Sequence, residues 1–155
     1  MSWAEIARAG RWSEWTGLPE LTEAELRAGL GLALGTRASV RLGRERLELV
    51  TCGPTRYWLD GDQVRLVELV EPASPPAVEL LAALGPASRE GPGRHRRLDS
   101  STDEHVYPER GLAVTVAHTF DDAPPFVAQV LLFAPTDLTG FVVELGGNDR
   151  AGPAY

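Results

Sequence analysis

Lysine is missing from this sequence: all 15 basic residues are arginine. Schiff-base chemistry, the phosphate-gripping lysine of a P-loop and lysine general bases each need an amine, so all three are excluded. Cysteine is almost missing too. With Cys52 alone no internal disulfide can form, which excludes a small scaffold held by bridges and favours the cytosol. Residues 1–10 carry Glu5 and Arg8 ahead of any long apolar run and so do not follow the order of a signal peptide. Long apolar runs are lacking elsewhere: the uncharged stretch 123–136 is broken by Pro124, Pro125 and Pro135 and is too short for a bilayer. Positive charge is in deficit, with 15 arginines against 22 carboxylates and a net charge of −7. That balance opposes attraction to phosphate backbones and anionic membranes. The expectation is a cytoplasmic protein with neither nucleic acid nor membrane as partner.

What is present is the composition of an ordinary globular domain. At 155 residues, 43% hydrophobic and 24% charged, the chain buries roughly 70% of its unfolded surface as one domain. A single α+β domain over 1–155 is therefore expected. Ser2 with Glu5 has the spacing of a capping box, and Gly10 offers a left-handed stop, so a short first helix is expected. Thr22 with Glu25 is a second capping box, opening a helix over about 23–30 with Leu26 and Leu30 inward and Gly29, Gly31 and Gly35 at its exit. From Ala38 the apolar period changes to two: Val40 and Leu42, a turn at Gly43-Arg44, then Leu47, Leu49 and Thr51 form a hairpin. Residues 56–59 meet the turn pair Asp60-Gly61, and 63–70 return as a strand.

Ser74 and Pro75 open a further helix with Val78, Leu81 and Leu84 as its apolar face, ended by Gly85-Pro86. Residues 87–103 are polar and rich in Gly, Pro and Ser, so they read as a long exposed loop. Strands over 105–107, 112–118 and 126–133 and a helix capped by Thr136 or Asp137 follow, and the tail 148–155 is expected to fray. The fold class is thus α+β, with an antiparallel sheet of about six to seven strands in two meanders covered by short helices. The repeated order leaves room for two degenerate halves, about 20–72 and 74–146.

No cofactor or catalytic motif stands out. His95, His105 and His118 lack zinc spacing, Cys52 sits near a strand end as a small core residue, and the glycines of 29–35 follow a helix rather than a strand. The candidate binding residues are Arg94, Arg96 and Arg97, whose guanidinium forks suit carboxylates or anions. Trp12, Trp15, Tyr57, Trp58 and Tyr107 are amphipathic aromatics that fit either a core or a docking surface, and His105 is a polar group beside them.

Leu84-Gly85-Pro86 at a helix end, then Val106-Tyr107-Pro108 and an alternating strand, resembles the tandem helix-and-sheet modules of the β-lactamase inhibitory protein and the BamE lipoprotein over residues 21–135. The resemblance implies architecture alone. Those families are secreted and the inhibitor is braced by disulfides, so neither partners nor binding residues carry over. The leading functional expectation is a non-enzymatic protein that binds another protein through its sheet face or the 87–103 loop, of immunity, inhibitor or adaptor type. The alternative is a small-molecule binder or an enzyme without a motif. Its cavity would lie between sheet and helices, lined by Tyr57, Trp58 and Tyr107, with His105 or His118 as the polar group. A self-assembling subunit is the third reading.

Overall fold

A computed structural model of the chain describes residues 3–30, 37–42, 45–72, 75–93 and 98–145. Helices α1 (Trp3–Ala9) and α2 (Glu23–Leu30) precede four strands, β1 (Arg37–Leu42), β2 (Glu45–Cys52), β3 (Thr55–Asp60) and β4 (Gln63–Val70). Helix α3 (Ala77–Leu84) then leads into β5 (Arg89–Pro92), β6 (Ser100–Tyr107), β7 (Leu112–Thr119) and β8 (Phe126–Phe133), and α4 (Leu138–Glu144) follows. The strands form one antiparallel sheet in the order β1-β2-β3-β4-β8-β7-β6-β5. Each four-strand meander is preceded by a helix, and the two join where β4 pairs with β8.

Among the described residues eight strands stand where the sequence suggests six or seven. The extra one is β5, and β6 begins at Ser100 rather than at 105, so the expected loop over 87–103 is in part sheet. Both segments are polar, and backbone pairing with a neighbour, not an apolar pattern, makes them strands.

Local chemistry explains why α2 starts where it does. The Thr22 amide donates to Glu25 Oε2 (2.8 Å) and the Glu25 amide donates to Thr22 Oγ1 (3.2 Å), the reciprocal capping box anticipated from the spacing. Thr22 also bridges to Gln63, and the Val64 amide donates to the Leu21 carbonyl, tying the helix entry to β4. Thr22→Ala is expected to lower stability by ~1 kcal/mol in urea unfolding, the usual worth of a cap. Helix α4 is capped as expected by Asp137, whose Oδ1 accepts from the Gly140 amide at 2.6 Å. Helix α3 matches the expected face at Leu84, and in part at Leu81, but not at Val78. Its cap position is Pro76, and Ala77, Leu80 and Leu84 face inward while Val78 is 67% exposed. Spacings of three and seven from Ala77, at about 100° per residue, put these three on one side and Val78 off it.

The sheet is covered on both faces. On one side Trp12, Trp15, Leu18, Leu26, Leu80 and Leu84 pack against Val50, Tyr57, Val67, Leu112, Val114, Val130 and Leu132. On the other, α4 lays Phe141 on Leu66, Val106, Ala113, Leu131 and Phe133, with the Phe133 and Phe141 rings 5.3 Å apart. The central strands β7 and β8 are therefore buried along almost their whole length, which is why they read as continuous apolar runs.

The amino-terminal segment is locked to this sheet through Gly111. Trp15 Nε1 donates to the Gly111 carbonyl (2.9 Å), the Phe133 amide donates to the same oxygen (2.9 Å), and the Leu18 amide donates to the Phe133 carbonyl (3.0 Å). Arg110 Nη2 adds bonds to the carbonyls of Trp12 (3.2 Å) and Ser13. The capping box at Ser2, the glycine-rich exit after α2, the Gly43-Arg44 turn, the Ser74 cap and the 148–155 tail fall outside the described residues.

Candidate functional site

Alternation along the strands sorts the aromatic residues. Tyr57, paired with Val50 and Val67, points into the helical layer, so Trp58 points to the opposite face with Leu49 and Leu66. Arg56 and Glu68 are direct cross-strand partners on the Trp58 face. Beyond the seam between the meanders, Gln129 pairs with Thr115, and Thr115 with Glu104. The result is a polar strip that crosses β3, β4, β8, β7 and β6 beside the apolar area covered by α4.

Four members of the strip are deeply placed: Glu68 is 4% exposed, Gln129 7%, Thr115 2% and Glu104 6%. Burying a polar group costs roughly 2–7 kcal/mol without a hydrogen bond, so each such side chain needs partners. Glu68 has them. Its Oε1 accepts from Gln129 Nε2 (2.7 Å) and Arg56 Nη1 (3.3 Å), and its Oε2 accepts from Trp58 Nε1 (3.3 Å). The Glu68 carboxylate fixes the orientation of the Gln129 amide, because only the nitrogen can donate to it. The Gln129 oxygen is left buried and without a hydrogen-bond partner among the described residues.

The anticipated residues are dispersed. Trp12 and Trp15 lie in the core at 0% and 2% exposure. Tyr57 is also core, and burial, with the Cys52 thiol adding and Arg8 opposing, pushes its hydroxyl up to about 12. Tyr107 is buried on the same side, its hydroxyl raised by burial first, and donates to the Gly85 carbonyl at 3.0 Å. Tyr57 and Trp58 occupy opposite faces of β3, so the two do not line one cavity, whereas Tyr57 and Tyr107 share the helical side. His105 Nδ1 sits 3.5 Å from Glu90, and His118 Nε2 3.1 Å from Asp103. His105 opposes Val114 and His118 opposes Ser101, four positions along the ladder, so each histidine keeps its own carboxylate and the two do not converge. Arg94, Arg96 and Arg97 lie outside the described residues.

Of the anticipated residues that the structure describes, only Trp58 joins the strip. Glu68, Gln129, Thr115 and Glu104 were missed, although a lone glutamate between Val67 and Leu69 and a lone glutamine between Ala128 and Val130 are visible in otherwise apolar strands. A shallow groove of about 180 Å³ lies elsewhere, lined by Leu18, Leu21, Leu47 and Leu145 with Glu45 and Arg65, whose charged groups are 3.6 Å apart. Among the described residues no group of three His, Cys, Asp or Glu is placed to hold a metal ion, and no helix is long and apolar enough to cross a membrane. No family model, curated protein or solved structure matches this chain.

Proposed function

We propose that this chain is a non-enzymatic binding module, of immunity, inhibitor or adaptor type, that engages another protein through the sheet face bearing the polar strip. The observation behind this reading is the strip itself. A face built only for stability is served best by apolar side chains, as under α4, whereas four buried polar residues crossing four strands lower stability unless matched. The net charge of −7 adds a field that favours a basic partner.

Affinity capture from the native host tests it. Wild-type chain is expected to recover a partner in stoichiometric amount, and Thr51→Arg, which adds bulk beside Arg56 on a half-buried position of this face, is expected to weaken the complex at least tenfold without shifting the melting temperature. Recovery of no stoichiometric partner, or undiminished affinity of Thr51→Arg, overturns the reading.

A second reading, docking through the 87–103 segment, draws on Leu98 and Phe120. Both are exposed large apolar side chains, and they flank the paired strand ends Ser100 and Thr119. Under this reading Leu98→Ser with Phe120→Ser abolishes capture and Thr51→Arg does not.

A further inference from the structure

We propose that the free edge of β1 takes an extended segment of another protein as an added strand, one that alternates acidic with apolar residues. The proposal goes beyond the sheet-face reading and does not depend on it.

The two ends of the sheet are built differently. At one end β5 has only four residues and closes on Gly91 and Pro92, so it offers a short ladder with one N–H fewer. At the other, β1 runs six residues without proline or glycine and without a register shift against β2. Its outward groups follow from the ladder. The Val70 amide donates to the Pro54 carbonyl, which makes Pro54 with Val70, and in alternation Arg56 with Glu68, the hydrogen-bonded pairs that join β3 to β4. Tyr57 then bonds across to Val50 of β2, Leu49 bonds across to Ala38 of β1, and Ser39 and Arg41 are left with N–H and C=O pointing away from the sheet. Both residues are exposed, and among the described residues no backbone group pairs with them on that side.

The side chains say which strand fits. Arg41 stands directly opposite Arg46, and the two share the face of Val50. Side chains so placed are roughly 4.5–5.5 Å apart at Cβ, and like charges there repel. Both arginines are exposed, and neither has an ion pair among the described residues, in a chain that carries 22 carboxylates. An acidic residue opposite Arg41 on an added strand continues this row with the missing sign. On the other face Val40 lies across from Leu47 and is half-buried, so the alternate positions of the added strand gain from apolar side chains. A second copy of this chain fits poorly: paired edge to edge, it would bring its own Arg41 to the same face. The net charge of −7 opposes an acidic segment only weakly, because exposed charges more than about 8 Å away are largely screened at physiological salt.

The probe is the peptide acetyl-Thr-Glu-Val-Glu-Val-Glu-Thr-amide, titrated into the full chain labelled with nitrogen-15. Expected are saturable shifts and slowed hydrogen exchange of the Ser39 and Arg41 amides, with an affinity of roughly 0.1–1 mM. Binding is expected to weaken at least fivefold when glutamine replaces the glutamates of the peptide. Ser39→Pro removes an outward N–H that the β2 ladder does not use, and is expected to abolish the response while the β7 and β8 amides keep their shifts. Arg41→Gln, an exposed change that leaves the backbone groups in place, is expected to make the glutamate and glutamine peptides bind alike. No response, equal affinity of the two peptides for the wild-type chain, an undiminished response in a folded Ser39→Pro, or a retained preference for glutamate in Arg41→Gln each overturns the proposal. Slow exchange of the same two amides without peptide, rising with protein concentration alongside a dimer in sedimentation, means that a second copy takes the edge and also overturns it.

Discussion

Replacing Gly111 by alanine is expected to cost at least ~3 kcal/mol and to lower the melting temperature by about 6–12 °C, at roughly 2–4 °C per kcal/mol for a chain of this size. Two effects add. Gly111 has φ +65°, left-handed backbone that costs an alanine roughly 1–2 kcal/mol. A Cβ there would also run into the Phe133 carbonyl oxygen and lie 3.0 Å from Gly17 Cα, both backbone atoms that cannot swing aside. Relief requires moving Gly111 away from Phe133, which breaks the bonds its carbonyl accepts from Phe133 and from Trp15. Urea unfolding of the variant checks this, and a loss under 1 kcal/mol would show that the junction is softer than its geometry.

Glu68→Leu is the second large effect, ~2–4 kcal/mol. It strips the acceptor from Gln129 Nε2, Trp58 Nε1 and one Arg56 nitrogen at once, on a face where water has little access. Arg56 is about a quarter exposed and recovers some solvation, which keeps the figure below that of a fully enclosed pair. The companion variant is more telling. Arg56→Met, Glu68→Leu and Gln129→Leu together remove the carboxylate, the guanidinium and the amide, leaving the half-exposed Trp58 indole N–H to water, and are expected to regain most of the stability while partner capture is lost. A triple variant that both folds and binds as wild type would mean that the strip has no part in recognition.

Where side-chain pattern and burial coincide, the sequence was readable. The Thr22–Glu25 capping box, the β3–β4 turn and the run 126–133 are set by residues within a few positions of one another. The β5 strand was unreadable for the opposite reason: Arg89-Glu90-Gly91-Pro92 has no apolar rhythm, and only its ladder with 103–106 makes it a strand. On α3 the expected face was right at Leu84 and in part at Leu81, but Val78 lies about 100° from Ala77 and points out, while Ala77 and Leu80 complete the inner face. The polar strip illustrates the same limit on a larger scale. Glu68 and Gln129 are 61 residues apart, and no local pattern announces that β4 and β8 are neighbours. Tyr57 and Trp58 were grouped by adjacency, whereas the pleat separates them.

Glu68 comes from the first meander and Gln129 from the second, so the strip is shared property of the two halves. Sliding β8 by one residue along β4 would turn Gln129 to the other side and dismantle it. A partner bound across the strip, as proposed, would therefore sense whether the two meanders are docked in register. By mass action, an occupant that needs both halves must in turn hold them together. Opening of the β4·β8 seam, read by amide hydrogen exchange, is accordingly expected to slow when the site is filled.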